Sequence, residues 1–207
     1  MIQSHDQSLE ATYKHVKNIL ELPQSSFKSS DKFKSLGTES FKYEDPKYTS
    51  SPAFKAEGII NASLQKIRKE QFEISPEENM RRNKNVKVSK LIKVTEKGYS
   101  IMFEEQSVPI ISDRQVLFIV GNFEETENGV LIVGTSIEDE SLAPSVKGKV
   151  RAINNYSAFK LEKISENQTK ITILFQIDPA GSVPGFVKGK LGNKRVEELF
   201  TQYKKLE

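Results

Sequence analysis

Among its 207 residues the chain has no cysteine, no tryptophan and only two histidines. Without cysteine there is no disulfide, no thiolate metal site and no cysteine nucleophile. His5 and His15 are ten residues apart, which on a helix turns them about 80° from one another and denies them the i, i+4 spacing of a helical zinc pair. Histidine-dependent catalysis and a bound metal are therefore not expected. Long apolar runs are also missing: nothing approaches the roughly 18 apolar residues of a membrane span, and the first twenty residues hold no run of signal-peptide type. The expectation is a soluble, cytoplasmic chain whose membrane contacts are peripheral. The net charge of +3 is too small to suggest bulk nucleic-acid binding.

What charge there is lies in runs. Between Pro76 and Lys93 six basic residues outnumber Glu77 and Glu78, whereas Asn122 to Ser141 carries six acids and no base. The closing segment is basic again, with Lys188, Lys190, Lys194 and Arg195. Such a distribution suggests oriented faces, although any one run also fits a solvated surface.

Periodicity sets out the elements. Ser4 with Gln7 makes a capping box, and Leu9, Val16, Ile19 and Leu20 recur at helical spacing until Pro23, so a helix is expected over about 4–22. Short edge strands are expected in 24–52, a strand from Ala53, a helix near 63–73 and a short helix opened by Ser75-Pro76. From Val86 the chain reads as meandering strands: Ile101 and Phe103 share a face, Asn128-Gly129 turns a hairpin, and Ile171, Ile173, Phe175 and Ile177 alternate with Lys170, Thr172, Leu174 and Gln176. After Pro184 comes a helix with an apolar stripe of Val196, Leu199, Phe200 and Tyr203. This order argues one α+β domain over 1–207, best supported from 53 onward, in which an antiparallel sheet curls around the last helix. Acid pairs such as Glu104-Glu105 and Glu124-Glu125 read as solvated, since neighbours on a strand face opposite sides. No residue is assigned a catalytic role.

Three short motifs, in order, point to a family. Ser112-Asp113-Arg114-Gln115 follows a Pro-Ile-Ile loop, Val150-Arg151-Ala152 begins a long strand, and Asp178-Pro179-Ala180-Gly181-Ser182-Val183-Pro184 precedes the terminal helix. In order and spacing they resemble a START (steroidogenic-acute-regulatory-related lipid transfer) domain. The resemblance implies a helix-grip fold, with a curved antiparallel sheet gripping the last helix over a tunnel that holds one lipid. It gives Asp113, Arg114, Arg151, Asp178, Gly181 and Pro184 structural roles in the motifs.

Carried over residue by residue, the resemblance implies a tunnel lined by Ile101, Phe103, Leu131, Val133, Ala152, Asn154, Ile173 and Phe175 on the sheet and Leu191, Leu199 and Tyr203 on the helix. Pattern alone would let the same side chains fill a closed core. Sterol-transporting members bury an acid and an arginine facing each other, and Ile101 and Val120 match those positions, leaving Asn154, Tyr99 and Tyr203 as polar anchors. The absence of tryptophan weakens any cation-π cage for choline.

The reading is a non-enzymatic lipid-binding and lipid-transfer protein, monomeric, with no cofactor, taking a sterol, phospholipid or sphingolipid. Two alternatives stay open: an enzyme of the same wider fold, working through acids, tyrosine or lysine, and a lipid-dependent sensor or adaptor. Gly185, Gly189 and Gly192 should loosen the start of the closing helix. Beside it, Ile110, Ile111, Lys188, Lys190, Lys194 and Arg195 are expected to touch an anionic membrane transiently.

Overall fold

The computed structural model describes residues 4–30, 33, 36–108 and 111–207. The chain begins with helix α1 (His5–Leu20), whose capping box is formed: Gln7 N–H donates to Ser4 Oγ, and Ser4 N–H donates to Gln7 Oε1. A 3-10 turn leads into β1 (Lys28–Ser30), β2 (Thr38–Tyr43) and β3 (Ala53–Ile60). Helices α2 (Leu64–Gln71) and α3 (Pro76–Arg82) follow, capped by Ser63 and Ser75. Then come β4 (Val86–Val94), β5 (Ser100–Gln106), β6 (Arg114–Thr126), β7 (Gly129–Ser136), β8 (Val150–Arg151), β9 (Ile153–Ser165) and β10 (Gln168–Asp178), before the closing helix α4 (Gly185–Lys204).

These strands form one sheet in the order β1-β2-β3-β10-β9-β7-β6-β5-β4, antiparallel throughout except where short β8 runs parallel to β6. The expected long strand from Val150 is thus two, since Ala152 leaves the ladder with its N–H on the Gln115 carbonyl. Along β4, irregularities between Val86 and Val88 and between Leu91 and Lys93 shift the alternation, so that Val86, Val88, Ile92 and Val94 do not share one face.

The sheet packs helices on both faces. On one, Leu9, Val16 and Ile19 of α1 bury against Ile101, Leu117, Ile119, Leu131, Val133, Ala158 and Leu174. On the other, Val196, Leu199, Phe200 and Tyr203 of α4 meet Phe54, Ala56, Ile60, Ile171, Ile173 and Phe175, joined by Leu64 and Ile67 of α2. These are the two faces of a period-two strand, and β10 shows both: Ile171, Ile173 and Phe175 go to α4, Leu174 to α1.

Two glycines let α4 lie so close to β3. A Cβ at Gly192 would stand 2.0 Å from the Phe54 ring, and one at Gly58 would stand 2.6 Å from the Phe200 ring. Gly192 thus serves close approach rather than looseness. Gly192→Ala should lower stability by about 1–3 kcal/mol, because the buried Phe54 ring cannot yield without repacking. Gly189→Ala, whose Cβ meets only Lys42 Nζ at 3.9 Å, should be neutral or gain up to about 1 kcal/mol of helix propensity. Urea melts of the two variants check the contrast.

Candidate functional site

Along β6 and β9 the two faces of the sheet are covered unequally. Along β6 the residues turned to α1, Leu117 and Ile119, are fully buried, whereas Val116, Phe118 and Val120, turned the other way, are only half-buried. β9 repeats this: Tyr156 and Ala158 are buried on the α1 side, and Ser157 and Phe159 are half-buried on the α4 side. Near α2 the α4 face is filled by Val130, Ile132, Leu161 and Ile171. Toward the start of α4 it keeps an apolar wall that nothing fully covers, because α4 lies over β3 while β9, β7, β6 and β5 continue past it.

The residues expected to line one tunnel divide between the two faces. Ile173, Phe175, Leu199 and Tyr203 are together on the α4 side. Ile101, Leu131 and Val133, with Phe103 against them, belong to the α1 cluster, and Tyr99 packs there too. The reason is the strand period: a carry-over displaced by one position puts every side chain on the opposite face. Ile101 and Val120 accordingly do not face each other, since Ser100 is the residue paired with Val120. Ala152 is buried between β8 and β9, and Leu191 is half-buried on α4.

Asn154 does reach the α4 side. Its Nδ2 donates to Ser157 Oγ at 3.0 Å, and that oxygen lies over Gly134, beside Val120. An irregularity between Gln176 and Ile177 produces this by setting Asn155 and Tyr156 against Gln176, so that Asn154 pairs with Ile177. Asn155 and Tyr156 instead serve the α1 side, where Asn155 donates to Gln176 Oε1 and Tyr156 Oη donates to buried Asp45 at 2.9 Å. His15 Nε2 contacts the same carboxylate at 2.7 Å.

Glu104 is buried, contrary to its expected solvation. On the α4 side of β5 it accepts from Asn79 Nδ2 at 2.9 Å and Gln106 Nε2 at 2.6 Å, with Ser89 Oγ at 3.4 Å. Its neighbour Glu105 faces the other way, where Lys149 and Gln115 hold its carboxyl below the usual range. The alternation was legible, but the polar donors that solvate Glu104 come from a separate helix and strand.

The motif residues knit one end of the sheet to α4. Buried Arg114 has no carboxylate partner among the described residues: its Nε donates to the Pro179 carbonyl, Nη1 to the Ser112 carbonyl and Oγ, and Nη2 to the Ala180 carbonyl. Burial alone pulls its pKa down. Ala180 and Gly181 both have positive φ, 53° and 68°, which turns those carbonyls toward the guanidinium. Asp113 pairs with Lys87 at 2.6 Å. Arg151 donates to the Ala143 carbonyl at 3.0 Å, its guanidinium over the Phe103 ring. Pro184 is the N-cap residue of α4 and offers no side-chain cap.

Lys188, expected at a membrane surface, is anchored instead. Its ammonium lies 3.1 Å from Asp178 Oδ1 and 2.9 Å from the Ser50 carbonyl, so the first turns of α4 are tied down. Lys190 and Lys194 are exposed, Arg195 and Ile111 half-buried, and Ile110 lies outside the described residues. A residue without a role in the sequence reading, Phe186, is 70% exposed with Lys190 Nζ 5.7 Å from its ring. The signal was its place off the α4 stripe. Ile153, the first residue of β9, and Ile177, next to last in β10, are also exposed, at the paired ends of those two strands. An open cleft of about 180 Å³ at the β6–β7 hairpin, between Glu124, Asn128, Lys160 and Glu162, shares only Leu131 with the expected lining.

The START domain family model matches residues 25–204. The chain belongs to that family. Comparison with curated proteins finds no match. Among solved structures, human StAR-related lipid transfer protein 5 superposes with a TM-score of 0.84 at 16% identity, covering 98% of this chain and 95% of that one. Human STARD10 gives 0.80 at 14% identity over 100% and 80%. A STAR-related lipid transfer protein from Xanthomonas axonopodis gives 0.66 at 14% identity over 86% and 98%. At these identities the likeness shows the fold, a curved antiparallel START sheet with its C-terminal helix.

Two outcomes follow from the anchored end. Arg114→Ala should cost about 2–3 kcal/mol by stranding buried carbonyls, and Arg114→Lys should not restore it, because an ammonium lacks the planar fork; thermal melts check both. Asp178 is held below its ordinary pKa, since hydrogen bonds from Ala180 N–H, Ser50 and Lys188 outweigh the opposing effect of burial. Its link to Lys188 is therefore complete above the ordinary aspartate range and is lost as pH falls through the lowered value. Protection against hydrogen exchange at the start of α4, relative to the intrinsic rate at each pH, should fall on acidification in the native protein and be already reduced, with less pH response, in Asp178→Asn.

Proposed function

We propose that the chain binds one lipid in the hollow between the α4 face of the sheet and α4, and carries it between membranes unchanged. The observation that carries this reading is the apolar, half-buried row of Val116, Phe118 and Val120 on β6, whose neighbours Leu117 and Ile119 on the opposite face are fully buried. A side chain left half-covered inside a fold gains from an apolar guest, at about 25 cal/mol per Å² removed from water. Phe175, Ile173, Leu191, Leu199 and Tyr203 complete the proposed lining, with Asn154 its polar point. Transfer without chemistry is supported by where the reactive groups lie: His15 is engaged with Asp45 on the opposite face, and Glu104 is held by neutral donors.

In this reading the chain is a cytoplasmic monomer whose α4 start meets an anionic membrane. Phe186 supplies the apolar wedge, Ile111, Ile153 and Ile177 the surrounding apolar surface, and Lys190 and Lys194 the charge. Lys188 and Arg195, being partly buried, contribute less.

Native mass spectrometry of the purified protein, followed by lipid extraction, should find one lipid per chain. Liposome assays should show its transfer. A protein that is empty and takes up nothing from a total lipid extract would overturn the reading. Phe186→Ser with Lys190→Glu should weaken binding to anionic liposomes about tenfold or more without changing the melting temperature, and unchanged binding would remove this end from the membrane.

A further inference from the structure

We propose that the outer edge of β4 is a docking site for an extended segment of a partner protein in which acidic and apolar residues alternate, added to the sheet as one more strand. The site lies outside the hollow, and the proposal holds whatever the hollow contains.

β4 ends the strand order, and β5 is its one strand partner among the described residues. Over 88–94 its backbone bonds only to β5 among those residues, so the N–H and C=O groups turned away from β5 are free to pair. The strand at the other end of the order, β1, has three residues, whereas β4 has nine.

Residues directly opposite on paired strands share a face, so the register with β5 sorts the side chains of β4. Lys90 and Lys93 stand opposite Phe103 and Ile101, on the α1 side, and Leu91 and Val94 stand opposite Met102 and Ser100, on the α4 side. The irregularity between Leu91 and Lys93 takes up one residue of β4, so these four positions match four consecutive residues of β5, 100–103. A strand laid on the outer edge in the same spacing meets an apolar side chain, a lysine, an apolar side chain and a lysine in turn. Lys90 and Lys93 are exposed and have no acidic partner among the described residues, unlike Lys87 on Asp113 and Lys97 on Glu10. Leu91 is 49% and Val94 54% exposed.

Lysines on an edge oppose pairing with a second copy, because two β4 strands brought together about a two-fold axis gather four lysines. They do not oppose an acidic strand. Protection alone gives no reason for two bare apolar side chains on the other face. A flat anionic membrane meets only one of the two sets, since the lysines and the apolar side chains point to opposite sides of the sheet. A strand of alternating acidic and apolar residues satisfies both, and its main chain pairs with the free edge.

The test is fluorescence anisotropy of a labelled peptide alternating glutamate and valine, titrated with the full chain. It should bind about tenfold or more tightly than a scrambled peptide of the same composition or a peptide alternating lysine and valine. Methylating one alternate set of its amide nitrogens should abolish binding, and methylating the other set should leave it, because only one set faces β4. Lys90→Glu with Lys93→Glu, both at exposed positions, should keep the native melting temperature, lose the glutamate peptide and take the lysine peptide. No binding at about millimolar peptide, binding that survives scrambling or both methylations, or a charge reversal that leaves the preference unchanged overturns the proposal. So does either other occupant: phosphatidylserine vesicles that bind through Lys90 and Lys93 while the peptide does not, or a homodimer in sedimentation that Leu91→Lys breaks. None of these outcomes bears on whether the chain holds a lipid.

Discussion

A strand must present its side chains alternately to two sides, and in this sheet the two sides are closed to different degrees. α1 lies across one face and completes a core there, with Leu117, Ile119 and Ala158 at its centre. On the other face α4 is drawn tightly over β3 by Gly192 and Gly58. The same close fit that seals α4 to β3 leaves it short of β6. The structure thus spends its packing on one edge of the α4 face and keeps the rest open.

Most of the architecture was legible because it is written in local patterns. Ser4 and Gln7 announce a cap, Asn128-Gly129 a hairpin, and the alternation over 170–177 a strand. The face on which a given residue ends up was less accessible. Of the residues expected around one tunnel, Ile173 and Phe175 pack with α4, whereas Ile101, Leu131 and Val133 pack with α1. Nothing in a run of apolar residues says which parity faces in when both faces are buried, and β7 from Val130 to Thr135 is buried at every position. The irregularity at Asn155, which decides the direction of Asn154, depends on β10 and has no local signature.

Charge was misread for a related reason. Lys188 and Glu104 look solvated in sequence, one in a basic helix start and the other in an acid pair. Their partners are remote in the chain: Asp178 and the Ser50 carbonyl for the first, Asn79 and Ser89 for the second. Arg114 was read as a motif residue of structural role, and its partners are carbonyls on either side of the positive-φ turn at Ala180 and Gly181. A guanidinium facing carbonyls keeps its charge while fixing a turn, and the turn in turn sets where α4 begins.

The position of β10 has a consequence for the order of assembly. It lies between β3 and β9, pairing Phe54 with Phe175 across about 120 residues of sequence. Until β10 is made, the strands before α2 and the strands after α3 are two separate ribbons. During synthesis the nascent chain therefore holds two incomplete sheets, each with an apolar face uncovered and an unpaired edge where β10 will sit. The α4 face is completed by the last two elements to be made, so its packing belongs only to the finished chain.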